Sequence, residues 1–301
     1  MPDTGMMRTP EAEVDVTPEL VRALLREQHP DLAELPIEPV TNGWDNALLS
    51  LGEDLCVRMP RRAVAAHLVL NEQRWLPEIA TRVDVPVPSP FRVGRPGHGY
   101  PWSWSVNPWF QGRTAAEVSP VDRGPLVEPL ALFLSRLHVP APPEAPRNPV
   151  RGVPLWERHE RMSRRLGASD HSRAGELLDL WHDLVDTPVW EGPALWLHGD
   201  PHPANVLVDD ANGLAAVLDF GDLTSGDPAT DLGTAWMTFE APDRVRFRAR
   251  LDELAGVDEH TWTRARAWAV VYASVLITGT ADNPLLAAIG EHTTAQVLKD
   301  D

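Results

Sequence analysis

Apolar residues recur at helical spacing twice in the first third of the chain. The first stretch covers 17–27 and begins at Thr17, a residue type that caps helices, and the second covers 63–75. Short extended runs surround the second stretch. They lie at 47–59, in two pieces around a turn at 52–54, then at 91–94 and at 102–106. This mixture predicts a small lobe that combines strands with few helices.

From residue 125 onward the pattern is mainly helical. The longest apolar stretch, 267–279, is too short to cross a bilayer and contains polar residues, so it predicts a buried helix. The remaining chain therefore forms a larger lobe of helices. They are predicted at 126–137, 155–166, 174–184, 242–254 and 261–278.

One segment interrupts the helical pattern and carries distinctive chemistry. His198, Asp200 and Asn205 lie in His-Gly-Asp-Pro-His-Pro-Ala-Asn, and Asp219 follows in Asp-Phe-Gly. A kinase catalytic loop places an acid two positions after a His, and a metal-binding Asn five positions after that acid. A second metal-binding Asp comes in a later Asp-Phe-Gly. Both spacings are met, so the segment predicts a phosphotransferase with Asp200 as its catalytic residue.

The residues between these motifs predict a β-hairpin. Apolar runs at 206–208 and 214–218 flank a turn that ends in Asn-Gly, which is a strong hairpin signal. Antiparallel pairing would return the chain to its start and bring Asn205 beside Asp219. An amide and a carboxylate oxygen would then converge on one Mg²⁺, which binds through oxygen ligands and substrate phosphates.

Each of these polar residues, taken singly, also fits an ordinary turn or loop. Their joint spacing favours the chemical interpretation. His198 is better explained as a structural residue that braces the loop than as a proton carrier. Asp231, which follows Gly-Asp-Pro, is interpreted as a brace or helix cap for the same loop.

Composition limits the classes of partner. The 301 residues include 44 acidic and 27 basic side chains, a formal charge of −17, which argues against nucleic acid or an anionic membrane surface. A cationic substrate fits this charge, although solubility alone also explains it. A single cysteine excludes an internal disulfide, and the first residues lack the pattern of a secretory signal. We therefore expect a cytoplasmic enzyme; its oligomeric state stays open.

With these motifs the chain resembles the aminoglycoside phosphotransferase family, kinase-like enzymes that phosphorylate hydroxyls of antibiotics and other small molecules. The resemblance covers most of the chain. It rests on the catalytic loop and on matching segments at 43–46, 57–60, Glu72, 137–138, 217–221 and 226–228. It implies an α+β, bilobal protein-kinase-like fold. A small β-rich N-lobe would cover 1–106, a hinge 107–112, and a larger, mainly helical C-lobe 113–301.

The resemblance also implies a nucleotide, ATP or GTP, together with Mg²⁺ held by Asn205 and Asp219. The base would rest between the lobes near the hinge. The nucleotide-covering loop would consist of Gly43, Trp44, Asp45 and Asn46, and the residues near the base would be Asn107, Trp109 and Phe110.

The basic phosphate ligand can be argued from the sequence itself. Protein kinases use a strand lysine for the phosphates and pair it with a helix Glu. The only lysine here is Lys299, close to the end of the chain, so an arginine must take this role. Arg58 stands at the matching position ahead of Glu72, and its planar, permanently charged fork suits phosphate. The alternative, a solvated arginine on an edge strand, stays open.

The acceptor is the least determined part. Asp222 and Glu240 are candidate acceptor contacts, whereas other acids on the C-terminal helices alternate with arginines as solvated faces do. The absence of Ala-Pro-Glu and the short segment between Asp219 and Asp231 favour a small-molecule kinase over a protein kinase. We expect an aminoglycoside-like acceptor. The alternatives are a macrolide, another antibiotic or a metabolite alcohol, or a catalytically silent kinase-like binding protein.

Overall fold

The computed structural model describes residues 11–42, 46–280 and 283–299, which divide into two compact units. The N-terminal unit contains the described part of Met7–Arg82 together with Pro86–Gln111. The C-terminal unit contains Val83–Val85 and the described part of Gly112–Asp301. In the described residues, no helix is both long enough and apolar enough to span a membrane.

The N-terminal unit is an antiparallel sheet with helices, as its sequence pattern predicts. Its elements are α1 (Pro18–Gln28), β1 (Ile37–Asn42), β2 (Asn46–Leu51), β3 (Leu55–Pro60), α2 (Ala63–Ile79), β4 (Arg92–Gly94) and β5 (Trp104–Pro108). The strand order is β1-β2-β3-β5-β4, so β3 lies at the centre. Thr17 caps α1 by accepting a hydrogen bond from the Leu20 amide. Strand β1 was not predicted, because it contains Pro39. It lies at the edge of the sheet and its register is irregular next to Pro39, and edge strands tolerate proline.

One apolar core holds this unit together. Burial alternates along β2, with Leu49 and Leu51 inside, and the buried side of α1 packs into the same cluster. Trp104 of β5 is fully buried there, and its ring lies against Gly94, where an added Cβ would come within 1.9 Å of it. Cys56 of β3 is also buried, and burial raises the pKa of its thiol to about 11, against a smaller opposing effect of Arg58.

The C-terminal unit is mainly helical, as predicted. Its helices are α3 (Val127–Leu137), α4 (His159–Gly167), α5 (Ala174–Leu184), α6 (Ala229–Leu232), α7 (Thr234–Thr238), α8 (Ala241–Ala255), α9 (Glu259–Gly279) and α10 (Pro284–Lys299). A short 3₁₀ turn, Leu155–Arg158, precedes α4. Its strands are β6 (Arg113–Thr114), β7 (Leu195–Leu197), β8 (Val206–Val208), β9 (Leu214–Val217) and β10 (Thr224–Gly226). They form two small sheets, β6-β8-β9 and β10-β7.

Helix α9 is the buried centre of this unit, which confirms the interpretation of its apolar stretch. Every residue from Ala267 to Ser274 is buried, and α4, α5, α6 and α10 all pack against the helix. Helix α10 was not predicted, because Gly290 and two threonines interrupt its apolar pattern. Gly290 has a packing role, since a Cβ there would lie 2.8 Å from Leu276 of α9.

A buried ion pair connects α9 to the segment before α6. Arg264 donates through Nε to Asp227 Oδ2 at 2.7 Å and through Nη2 to Asp227 Oδ1 at 3.3 Å. The two side chains are 3% and 6% exposed. Asp227 Oδ1 also accepts the Ala229 amide at the start of α6. The pair therefore sets the position of the helix that carries Asp231.

We expect Arg264→Met to lower the free energy of unfolding by about 3–5 kcal/mol, because it leaves the carboxylate of Asp227 buried without its countercharge. Urea denaturation of both proteins measures this difference. The matched control is Arg246→Met, since Arg246 pairs with Asp243 at 2.7 Å but is 65% exposed. Equal losses in the two variants would contradict the role given to the buried pair.

Candidate functional site

The loop from His198 to Asn205 is anchored at its start by the carboxylate of Asp231. Asp231 Oδ1 accepts the Gly199 amide and Oδ2 accepts the His198 amide, both at 2.8 Å. His138 Nε2, at the end of α3, lies 3.0 Å from the same Oδ2. Asp231 is fully buried, so these three contacts take the place of the hydrogen bonds that its carboxylate would make to water. Two backbone positions of the loop are thus tied to α6.

His198 spans the interior of the loop. Its Nδ1 accepts the Asp200 amide at 3.1 Å, and its Nε2 lies 2.8 Å from the Leu218 carbonyl. The ring also packs against Phe220, with centroids 4.5 Å apart, and is fully buried. Both ring nitrogens are engaged within the protein.

The predicted hairpin is present, and it brings the two halves of the motif together. Strands β8 and β9 pair antiparallel, and just beyond them the Leu218 amide donates to the Asn205 carbonyl at 2.8 Å. Asp219 therefore follows a residue that is hydrogen-bonded to Asn205. The side-chain amide of Asn205 donates to the Asp200 carbonyl at 2.9 Å, which ties the start of the hairpin to the loop acid.

Asp219 has an unusual backbone conformation. Its φ is +55° and its ψ is +73°, in the left-handed region that costs a residue with a Cβ about 1 kcal/mol or more. Its carboxylate accepts the Gly221 amide at 3.3 Å. Non-glycine residues in this region concentrate at ligand-binding positions.

The side chains at the hairpin mouth suit a hard divalent cation. A carboxylate from Asp219 and an amide oxygen from Asn205 are the ligand types that Mg²⁺ prefers. The hydrogen bond from Asn205 Nδ2 leaves Oδ1 as the amide atom suited to the ion. Burial raises the pKa of Asp222, Arg151 opposes this rise, and the negative charges of Asp200 and Asp219 add to it, so the carboxylates repel one another. A cation would relieve that repulsion.

Arg151 is the positive charge next to these acids. One guanidinium nitrogen lies 3.5 Å from Asp200 Oδ1 and 3.2 Å from Asp222 Oδ2, and Nε donates to the Gly199 carbonyl at 2.7 Å. Tyr272 of α9 donates to the same carbonyl at 2.7 Å and places its ring 5.1 Å below the guanidinium. Burial alone would lower the pKa of Arg151, but Tyr272 and the carboxylates of Asp200 and Asp222 raise it above the ordinary value.

No motif or spacing points to Arg151 or Tyr272 as residues near the loop. They reach Gly199 from 48 and 73 residues away, and neither belongs to a recognisable motif. Tyr272 was counted only as a polar interruption of a buried helix. Their contacts with the Gly199 carbonyl in the folded chain identify both residues.

The two candidate acceptor contacts have different surroundings. Asp222 lies beside Arg151 and accepts the side-chain amide of Asn148 at 2.8 Å. Glu240, before α8, accepts Gln296 Nε2 at 2.9 Å and lies 3.8 Å from His292 Nδ1. In the described part of the chain, no hydrogen bond or ion pair joins Glu240 to the loop 198–205. The structure thus brings Asp222, and not Glu240, to the loop.

Arg58 and Glu72 form an ion pair in the N-terminal unit. Arg58 Nη2 donates to Glu72 Oε1 at 2.9 Å, with side chains 16% and 2% exposed. Arg58 lies on β3, between β2 and β5. The alternative of a solvated arginine on an edge strand is therefore wrong.

Two residues of the segment expected near a nucleotide base already make contacts within the N-terminal unit. Asn107 pairs with Cys56 in the sheet, and its buried Oδ1 has no hydrogen-bond partner in the described residues. The Trp109 amide already donates to the Asp54 carbonyl at 2.7 Å. Phe110 is half-buried. A buried acceptor without a partner at Asn107 is a position that a ligand donor would satisfy.

Of the expected nucleotide-covering loop, only Asn46 belongs to the described residues. Gly43, Trp44 and Asp45 lie outside the described residues. Asn46 begins β2 opposite Pro60, and its buried Oδ1 lacks a hydrogen-bond partner among described residues.

Sequence comparison identifies one family. The model of the family described as "Phosphotransferase enzyme family" (APH) matches residues 36–268. A curated relative, the uncharacterized protein YcbJ of Bacillus subtilis, is 26% identical over 107 residues. That match covers 34% of this chain and 35% of the relative, so the chain spans about a third of the length of the curated relative it matches.

Solved structures of similar fold cover nearly the whole chain. The GDP complex of aminoglycoside 2′-phosphotransferase-IIIa is 19% identical, with a TM-score of 0.67, over 93% of this chain and 97% of that chain. The streptomycin–ATP complex of APH(2″)-IIa is 14% identical, with a TM-score of 0.60, over 96% and 98%. Macrolide 2′-phosphotransferase MphH of Brachybacterium faecium is 19% identical, with a TM-score of 0.57, over 94% and 98%. The predicted α+β, protein-kinase-like fold is confirmed.

We expect Gly199→Ala to destabilise the protein more than Gly256→Ala. Both glycines have positive φ, +90° and +63°, so alanine costs roughly 1–2 kcal/mol at either position. A Cβ at Gly199 would also lie 2.3 Å from the Asp222 carbonyl oxygen, whereas Gly256 has open space. Urea unfolding measures both losses, and equal values would contradict the close contact between the loop and Asp222.

Proposed function

The chain belongs to the phosphotransferase enzyme family (APH), and we propose that it transfers the γ-phosphoryl group of ATP or GTP to a hydroxyl of a small molecule, with Mg²⁺. One observation carries the proposal. The Asn205 side chain donates to the Asp200 backbone carbonyl, and the Leu218 amide, one residue before Asp219, donates to the Asn205 carbonyl. These are the three positions that such chemistry requires.

Asp200 is proposed to orient the acceptor hydroxyl and to accept its proton late in the transfer. The transition state of phosphoryl transfer is loose, so positioning matters more than base strength. The Asp200 backbone is held by His198, and its carboxylate lies 3.5 Å from Arg151 and 3.5 Å from His202. The carboxylate is 25% exposed, which leaves room for an acceptor to reach it.

Asn205 and Asp219 are proposed to hold Mg²⁺, which when bound neutralises charge on the nucleotide phosphates. Arg58 would steady the phosphates, and Glu72 would orient Arg58 through their 2.9 Å contact. His198 and Asp231 would brace the loop through the hydrogen bonds already described. The remaining nucleotide contacts are proposed for Gly43, Trp44, Asp45, Asn46, Asn107, Trp109 and Phe110.

The acceptor class is a separate question. An aminoglycoside-like acceptor is supported by the formal charge of −17 and by the streptomycin complex of a similar fold. A macrolide phosphotransferase is also among the similar folds. A metabolite alcohol remains a further candidate. The charges within a few ångströms of Asp200 bear on this choice more directly than the total charge does.

We expect Asp200→Asn to reduce turnover by about 10²–10⁴-fold, because the amide cannot accept the hydroxyl proton. The measurement is Mg²⁺-dependent release of nucleoside diphosphate with ATP and GTP across aminoglycosides, macrolides, hydroxy acids and sugar phosphates. Asp210→Asn, in the exposed hairpin turn, is the control and should retain activity. Nucleotide binding without turnover in the wild-type protein, with every acceptor, would favour a catalytically silent binding protein.

Arg58→Gln should raise the KM for the nucleotide by roughly ten- to a hundred-fold, since a charged hydrogen bond contributes about 1.5–3 kcal/mol. Glu72→Gln should act in the same direction, through loss of the partner that orients Arg58. Arg26→Gln is the control, because Arg26 is 63% exposed in a surface pair with Glu34. An unchanged nucleotide KM in a folded Arg58→Gln protein would exclude Arg58 as a phosphate ligand.

A further inference from the structure

Arg158 is a buried arginine that has no acidic partner among the described residues. It ends the 3₁₀ turn before α4 and is 4% exposed. Its Nε has no hydrogen-bond partner, and within the described residues no carboxylate forms an ion pair with it. Proteins rarely bury a charge in this way, because lost hydration is normally replaced by a countercharge or hydrogen bonds.

Three other arginines act on the charge of Arg158. Arg158, Arg161 and Arg165 are spaced by three and four residues, which places them along one side of the 3₁₀ turn and α4. Burial lowers the pKa of Arg158 to about 10, and the positive charges of Arg151, Arg161 and Arg165 contribute further. Arg165 donates to the hydroxyl of Ser274 at 3.2 Å rather than to an acid.

Another arginine of α4 behaves differently. Arg164 is 74% exposed and pairs with Glu160 one turn earlier, as surface arginines on helices commonly do. The helix therefore has an exposed side on which Arg164 is paired and a second side on which the arginines form no ion pair with any described carboxylate. The sequence suggested only a solvated mixture of charges here, because spacing alone did not separate the two sides.

Arg151 connects the group formed by Arg158, Arg161 and Arg165 to the catalytic loop. It lies 3.5 Å from Asp200 and also contributes to the field at Arg158. It lines a cavity of about 360 Å³ in the C-terminal unit, in which Glu157 supplies the one acidic side chain among the described lining residues. The other polar lining residues are Arg147, Asn148 and Ser225.

We propose that the acceptor carries an anionic group, a phosphate or a carboxylate, which Arg158, Arg161 and Arg165 bind while the acceptor hydroxyl reaches Asp200. This inference rests on the proposed function and narrows its acceptor. A bound anion supplies the countercharge that Arg158 lacks. A polycationic aminoglycoside would instead meet several uncompensated positive charges, so the local charge opposes the class that the total charge of −17 favours.

Thermal unfolding of the full chain in inorganic phosphate and in chloride at equal ionic strength tests anion binding directly. Phosphate should raise the Tm of the wild-type protein and of Arg164→Met, the matched control, but not that of Arg158→Met. In chloride, Arg158→Met should be more stable than the wild-type protein, because it removes an unmatched buried charge. Acetate in place of phosphate distinguishes a carboxylate site from a phosphate site.

The proposal is overturned if phosphate has no effect on the wild-type protein or affects all three proteins equally. A destabilised Arg158→Met protein that keeps the full phosphate effect would show a purely structural role and also overturns it. If Arg158→Met does not fold, Arg161→Gln replaces it, since Arg161 is exposed on the same side of the helix. An undiminished phosphate effect in Arg161→Gln then counts against the proposal.

Two controls complete the test. The first shows whether the arginines bind the acceptor's anion or the phosphates of the nucleotide, and the second shows whether the phosphotransferase proposal fails independently of the anion site. The phosphate effect should persist with a saturating non-hydrolysable nucleotide and Mg²⁺, and its disappearance would assign the cluster to the nucleotide's own phosphates. In turnover assays, glycerol 3-phosphate and glycerate should be compared with glycerol and kanamycin. Absence of diphosphate release with all acceptors, together with an intact phosphate effect, would reject the phosphotransferase while leaving the anion site in place.

Discussion

The carboxylate of Asp231 is the contact on which the catalytic loop depends. It accepts two consecutive backbone amides of the loop and contacts His138, so α3, α6 and the loop meet at one buried group. Its own helix is positioned by the ion pair of Asp227 with Arg264. The loop that carries Asp200, the proposed catalytic residue, is thus supported by a series of buried charged groups that begins at α9. A site built this way is preorganised before a ligand binds, and phosphoryl transfer depends on such positioning.

The fold and the central motif could be predicted because their signals are local. The hairpin follows from two apolar runs around Asn-Gly, and the spacing of His198, Asp200 and Asn205 is readable within eight residues. Strand β1 and helix α10 were missed because Pro39 and Gly290 imitate breaks, and only packing explains them. Residue roles and the boundaries at 106 and 112 stay predictions.

The surroundings of the acceptor could not be predicted for a different reason. Arg151 and Tyr272 reach the loop across 48 and 73 residues, and no spacing rule links them to it. The arginines of α4 were visible in the sequence, but the burial of Arg158 was not. Total charge and the local charges of the proposal point to different acceptors, and charges farther away than about a Debye length are largely screened. The residues proposed to select the acceptor therefore belong to no recognisable motif.

The buried thiol of Cys56 lies two residues from Arg58, on the central strand of the N-terminal sheet. Because its pKa is about 11 and it is almost fully buried, the Cys56 thiol is protected from alkylating reagents as long as β3 stays paired in the sheet. Because the chain has one cysteine, any alkylation in native buffer would report transient opening of that strand. The protein thus contains a natural reporter of how firmly its proposed phosphate ligand is held, and thiol labelling with and without nucleotide would read it.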